Sequence, residues 1–381
     1  MNLLPSRCAR HGRIRLVPLL LAALIVLAAA PTFAAVFTNP IVEASPLTGS
    51  ADPSVVLYRG DYYYCRSIAN GYIGVARARR LQDIGAAPMK VVFRPPAGTA
   101  YSKRLWAPKV QQIGGRWYIY FAASDGPDPN HRMYVLQSSG SDPQGPYVFK
   151  GPVADMADAW AIDGVVLTMR GRLYFVWSGW PEGADRFPQL LYIAAMRDPF
   201  TIVGNRHVLA APEHDWERSV RPLLEAPQPM HHGGRTFIVY SANASWSDDS
   251  ALGLLTYVGG DPLHPTAWKK HADPVFGKSA RAGVFSVGHA SFVKSPDGRE
   301  DWIVYHATEG PSAGWLRRTV RAQPFHWRAD GEPAFDPAIG SGCPLQEPSG
   351  ARAARAVAAG GGAAGATEEP SKGRAASACA N

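Results

Sequence analysis

Five stretches of this chain share one grammar: an apolar run, a turn centred on glycine, then an aromatic-rich strand. They are DPSVVLYRGDYYYCRS, WAPKVQQIGGRWYIYFAAS, IDGVVLTMRGRLYFVWSG, EAPQPMHHGGRTFIVYSAN and GHASFVKSPDGREDWIVYHA. Their turn glycines, Gly60, Gly115, Gly171, Gly234 and Gly298, are 55, 56, 63 and 64 residues apart. Alternating Tyr, Phe, Val and Ile on both sides of a glycine-containing turn is the signature of a β-hairpin. A further short strand follows each of the first four hairpins, at YIGVARA (72–78), MYVLQSS (133–139), LLYIAAM (190–196) and LGLLTYV (252–258). An all-β repeat of this length, with three or four strands per unit, predicts the blades of a five-bladed β-propeller. A β-sandwich is the competing architecture, but nothing in a sandwich requires glycines to recur so evenly.

The ends of the chain differ from this pattern. Arg7, Arg10, Arg13 and Arg15 precede the apolar run LVPLLLAALIVLAAA, and the small residues of PTFAA follow. That order predicts a cleaved signal peptide over 1–35, the apolar run being short for a bilayer span of about 20 residues. The stretch from 348 to 381 is rich in Ala and Gly, without aromatic residues or an apolar period, and is expected to be disordered. The propeller then occupies 36–347. Of the formal charge of +8, the leader carries +4 and the tail +2, so the repeats are nearly neutral. Neither a nucleic-acid partner nor, after leader cleavage, a membrane is expected. Export implies a secreted or periplasmic protein, in which Cys65 and Cys343 are the candidate disulfide pair.

Counting back from each turn glycine reaches a polar or aromatic residue at a common slot. Asp52 and Asp163 lie eight residues before theirs; Trp106, Glu225 and His289 lie nine before theirs. In a propeller the equivalent ends of the innermost strands face one axis, so these five side chains should meet at one mouth. Singly, each has an ordinary explanation: Asp-Pro and Asp-Gly are common turn dipeptides, and a Trp or His can simply be core. Jointly, three acids, a histidine and a tryptophan around one funnel suit cleavage of a sugar.

These residues resemble those of glycoside hydrolase family 43, the five-bladed arabinanases, arabinofuranosidases and xylosidases, over nearly all of 45–340. The resemblance implies a general base at Asp52 in ADPSVV and an acid-tuning aspartate at Asp163 in WAIDGVV. It places the general acid at Glu225 in LEAPQPM, and at His289 in VGHASF a histidine near an axial ion, such as calcium, or a water. LGLLTYVGGDPLHPTAWKK, EDWIVYHA and VRAQPFHW resemble the exo-arabinanase and arabinofuranosidase branch, which implies a substrate-binding role for Arg321 and an aromatic wall at Trp106. The implied reaction is inverting hydrolysis of α-L-arabinofuranosyl linkages in arabinose- or xylose-containing polysaccharides and oligosaccharides, with no cofactor required. A β-xylosidase and a non-catalytic carbohydrate-binding propeller are the alternatives, and Glu217 in DWERS is an alternative acid. The chain departs from the family pattern in having LEAP for NEGP, GHASF for GHNSF, and Lys109 where an acid is common.

Overall fold

The computed structural model describes Met1 and residues 35–45, 51–184, 186–351 and 379. The expected leader lies outside these residues except at its two ends, and the expected tail except at 348–351 and Cys379.

Four of the five hairpins turn in two residues, Arg59-Gly60, Gly114-Gly115, Arg170-Gly171 and Gly233-Gly234, with φ between 50° and 80° at every one. Positive φ at both positions defines the type I′ turn, whose twist matches that of the flanking strands, and glycine at the second position meets its steric demand. The fifth hairpin closes from Lys294 to Asp301 through a longer turn.

Each hairpin is extended into a four-stranded antiparallel meander. The blades are Ser54–Tyr58, Asp61–Ile68, Tyr72–Ala78 and Met89–Phe93; Lys103–Ile113, Arg116–Ser124, Arg132–Ser138 and Tyr147–Pro152; Ala161–Met169, Arg172–Gly179, Leu190–Asp198 and Thr201–Ala210; Leu224–His232, Arg235–Ala242, Ala251–Tyr257 and Trp268–Lys270; and Val284–Lys294, Asp301–Glu309, Thr319–Trp327 and Pro333–Ala334. The chain forms a five-bladed β-propeller.

Strand alternation builds the core between the blades rather than inside them. On Asp61–Ile68 of blade one, Tyr63 and Cys65 face Val110, Ile119 and Phe121 of blade two. Tyr62 and Tyr64, one residue out of phase, face Trp302, Val304 and Val320 of blade five. Side chains of successive strand residues leave opposite faces, so every sheet is apolar on both sides and must be sandwiched. The ring is fastened beside blades one and five, where Val36–Thr38 pairs antiparallel with Pro344–Gln346. Asn39 clamps the backbone of Ala322 in both directions, at 2.9 and 3.0 Å.

The expected Cys65–Cys343 pair is not formed. Cys65 is a free, fully buried thiol packed between blades one and two, and Cys343 is bonded to Cys379. Alternation turns Cys65 toward blade two, whereas Cys343 lies beside the clasp on the opposite side of blade one.

Candidate active site

The inner strands of blades two to five are irregular at the same place. Their pairing register skips at Trp106/Lys109, Ile162/Val165, Glu225/Gln228 and Gly288/Ser291. Beside each skip stands a non-glycine residue at positive φ: Ala107 (41°), Asp163 (59°), Ala226 (53°) and His289 (46°). Asp52 (58°) takes the same conformation just before the inner strand of blade one. Such a conformation costs a non-glycine residue of the order of 1 kcal/mol, and here it recurs around the whole ring. The slot is two residues wide: Asp52, Asp163 and His289 stand on the strained position, Trp106 and Glu225 just before it. The bulge turns these side chains out of the layers between blades and into one cavity of about 410 Å³, which all five line. Gly164 is required beside Asp163, because a Cβ there would lie 2.2 Å from the Phe175 ring.

Asp52 is the most heavily engaged acid. Its Oδ1 lies 3.1 Å from Arg318 Nη1, 3.1 Å from His306 Nδ1 and 3.5 Å from His289 Nδ1. Burial alone would raise its pKa, but Arg318 and the two histidines outweigh burial and hold the carboxyl well below the usual carboxylate range. Glu225 is displaced in the opposite direction. Burial first, then the charges of Asp163 and Asp52, push it up to about 8, against the opposing pull of Arg318. Within one cavity, therefore, the surroundings hold Asp52 ionised and favour the protonated form of Glu225 at neutral pH.

Asp163 ties these groups together. Its Oδ2 accepts the Ala226 N–H at 3.0 Å, so it fixes the backbone beside Glu225. Burial raises its pKa and the Lys109 ammonium restrains that rise. Lys109 is itself buried, which lowers its pKa, while Asp163 and Asp52 favour its charge. Its Nζ donates to Pro227 O at 3.0 Å and reaches Gln228 Oε1 at 3.4 Å, bracing the same bulge from blade two. Trp106 forms a wall of the cavity and stacks on the buried His131, ring centres 3.8 Å apart.

His289 and His306 are both shifted down by burial, His289 additionally by the positive charge of Lys109. Among the described residues, His289 brings one buried, unpartnered nitrogen, Nε2, and no group of three or more His, Cys, Asp or Glu is arranged to hold a metal ion. One imidazole nitrogen close to an ammonium fits a water better than a cation.

Two sequence-based expectations need correction. Arg321 does not line the cavity: it is fully buried in blade five and bonded to Glu309, Ser341 and the carbonyl of Ile339. Arg318 lines the cavity instead. In an antiparallel meander the first and third strands start at the same rim, and Arg318 immediately precedes the third strand whereas Arg321 lies inside it. Glu217 is also structural. It accepts Tyr240 Oη at 2.7 Å and Lys270 Nζ at 2.9 Å, on the outer side of blade four. The sequence reading assigned no role to Arg318, His306 or Ser245, and it noted Lys109 only as a departure. Proximity of Arg318 to a strand start was the one available signal.

The sequence model of glycosyl hydrolases family 43 matches residues 37–333. An extracellular exo-alpha-(1->5)-L-arabinofuranosidase of Streptomyces avermitilis is 33% identical over 87% of this chain and 72% of its own length. An enzyme of the same name from Streptomyces chartreusis is 33% identical over 72% of this chain and 83% of its own. The crystal structure of an alpha-L-arabinofuranosidase from Lactobacillus brevis superposes with a TM-score of 0.74 at 31% identity, covering 80% of this chain and 98% of that one. With the propeller, the ring of inward-facing acids and this match over most of its length, the chain belongs to glycosyl hydrolases family 43.

Proposed function

We propose that the protein removes α-L-arabinofuranosyl units from arabinose-containing polysaccharides and oligosaccharides with inversion at the anomeric carbon. The observation that carries this reading is one cavity lined by two carboxyl groups in opposite surroundings, Asp52 against Arg318 and two histidines, Glu225 buried among other acids. Protonated Glu225 gives its proton to the glycosidic oxygen as the C1–O bond breaks. Ionised Asp52 takes a proton from a water whose oxygen bonds to C1 from the opposite face. The cycle closes when that proton returns from Asp52 to Glu225 through solvent. Asp163 keeps Glu225 protonated by its nearby charge and holds the acid's backbone. Trp106 offers the sugar an apolar face. Lys109 and Arg318 supply positive charge among the acids. Relatives with arabinofuranosidase names at about a third identity support the substrate class.

The test compares 4-nitrophenyl α-L-arabinofuranoside with the β-D-xyloside and follows the first-formed sugar by proton NMR. Faster release from the arabinoside, with inverted product, is expected. Faster release from the xyloside overturns the substrate class, and a retained anomer overturns the roles of Asp52 and Glu225. Two relatives carry extracellular in their names, and no helix among the described residues is long and apolar enough to cross a membrane. We infer export with cleavage near Val36, which intact-mass measurement of the secreted protein checks.

A further inference from the structure

Every inner hairpin carries an arginine within one residue of its turn glycine: Arg59 in blade one, Arg116 in blade two, Arg170 and Arg172 in blade three, Arg235 in blade four and Arg299 in blade five. The turns lie eight or nine residues along the inner strand from the cavity slot. At ~3.3 Å per residue that is about 25–30 Å away, on the face of the propeller opposite the mouth.

Blades four and five neutralise their arginines. Arg235 reaches Glu332 at 3.4 Å, and Arg299 approaches Asp297 at 3.8 Å. Blades one to three do not. Arg59, Arg116, Arg170 and Arg172 are exposed, and among the described residues none of the four is paired with a carboxylate. Asp61, the acid next to the first turn, is buried and already engaged, accepting from Arg77 Nε at 2.8 Å.

These four arginines adjoin one another. Tyr58 meets Trp117 edge to face, ring centres 5.1 Å apart, which brings the Arg59 turn against Arg116. Ile113 and Leu173 pack in one apolar cluster, which brings the turn of blade two beside that of blade three. Two of the guanidinium groups lie over rings, Arg59 over Tyr58 at 5.0 Å and Arg170 over Tyr257 at 5.3 Å. Such stacking holds the guanidinium plane while its N–H edge stays free for an acceptor. Arg59 and Arg170 also stand at the first turn position with φ of 52° and 50°, where Asn, Asp or Gly is favoured. Unpaired like charges at strained positions weaken the fold, so their use lies outside it.

We propose that this arc of arginines is a docking surface for a carboxylate-bearing polysaccharide, bound on the face opposite the catalytic mouth. The guanidinium fork matches a planar carboxylate. The arc spans three blades, too wide for one small anion but suited to a chain that repeats its charge. The nearly neutral propeller lacks the broad positive field that draws nucleic acid. The choice of a polysaccharide rests on the activity proposed for the mouth. Docking leaves the mouth open and raises its local concentration of neutral branches on the same polymer.

Affinity electrophoresis through gels containing polygalacturonate, with one carboxylate per ring, or its methyl ester reads docking without turnover. The wild type should be retarded by the acid polymer and not by the ester, and less so as salt rises. Arg59→Asn/Arg116→Gln/Arg170→Asn/Arg172→Gln should bind about tenfold more weakly, the scale of four exposed ion pairs. Its Tm should not fall, because asparagine suits the turn position, and its hydrolysis of 4-nitrophenyl α-L-arabinofuranoside should match the wild type. Equal retardation of the two proteins, or of the wild type by acid polymer and ester, overturns the surface. Tighter binding of duplex DNA or of phosphatidylglycerol vesicles than of polygalacturonate overturns the polysaccharide as partner. Wild-type protein that docks but hydrolyses no arabinoside instead overturns the proposed activity, so the two failures are distinct.

Discussion

Replacing Glu225 by glutamine should make the protein a poorer catalyst and a more stable fold. In the unfolded chain a glutamate loses its proton near 4.5, whereas in the cavity burial, Asp163 and Asp52 raise that point to about 8. Below 4.5 folded and unfolded states both hold the proton, and the residue imposes no penalty. Between the two values the unfolded chain releases a proton that the fold retains, so stability falls as pH rises; above about 8 the loss is complete. At 1.36 kcal/mol per pH unit, the interval sets a ceiling of about 5 kcal/mol. Glu225 lines an open cavity whose water screens the charge, so ~2 kcal/mol at neutral pH is the expected gain. For a domain of this size that raises Tm by about 4 °C at pH 7.5 and leaves it unchanged at pH 4. Thermal unfolding followed by calorimetry at both values reads the difference. Over the same range kcat/KM for methyl α-L-arabinofuranoside should drop roughly 10²–10⁴-fold, with much less loss for a nitrophenyl leaving group that needs little protonation. A glutamine variant no more stable than wild type at pH 7.5, or equally stabilised at pH 4, refutes the electrostatic reasoning.

Asp163→Asn removes a like charge while its amide oxygen can still accept the Ala226 N–H, so the alkaline limb of the kcat/KM profile should move down by about one pH unit; an unmoved limb dissociates Asp163 from the acid. Lys109→Met leaves Asp163 buried without its counter-charge and should cost about 3 kcal/mol in urea unfolding, with Lys109→Met/Asp163→Asn costing less than the two singles together. Simple additivity would mean the pair is not coupled. Chelator or added calcium should change neither Tm nor kcat, because Lys109 already carries positive charge at the axis; a chelator-induced fall in both would restore an ion beside His289. Denatured, unreduced protein lacking its leader should titrate one thiol, Cys65, and three after reduction; three without reductant would exclude the Cys343–Cys379 bond.

What the sequence determined was periodic. Glycine at the second turn position and alternating aromatic and β-branched residues are local requirements of a tight hairpin, met in four blades, and the fifth keeps the alternation and a turn glycine in a longer loop, so the recurrence exposed the blades and their number. Because a hairpin of set length fixes how far its strand end lies from its turn, the same counting brought Asp52, Trp106, Asp163, Glu225 and His289 to one slot. The loops and the contacts between blades obey no such period. Whether Arg318 or Arg321 reaches the cavity depends on a short 3₁₀ turn, Trp315–Arg317, that sets where the strand begins. Lys109 meets Pro227, 118 residues away, and Glu217 finds Tyr240 and Lys270, through packing that only the closed ring creates. The protonation states that divide base from acid belong to the same level. Identical carboxyl groups titrate oppositely because Asp52 gathers Arg318, His289 and His306 from blade five, while Glu225 meets mainly burial and other acids.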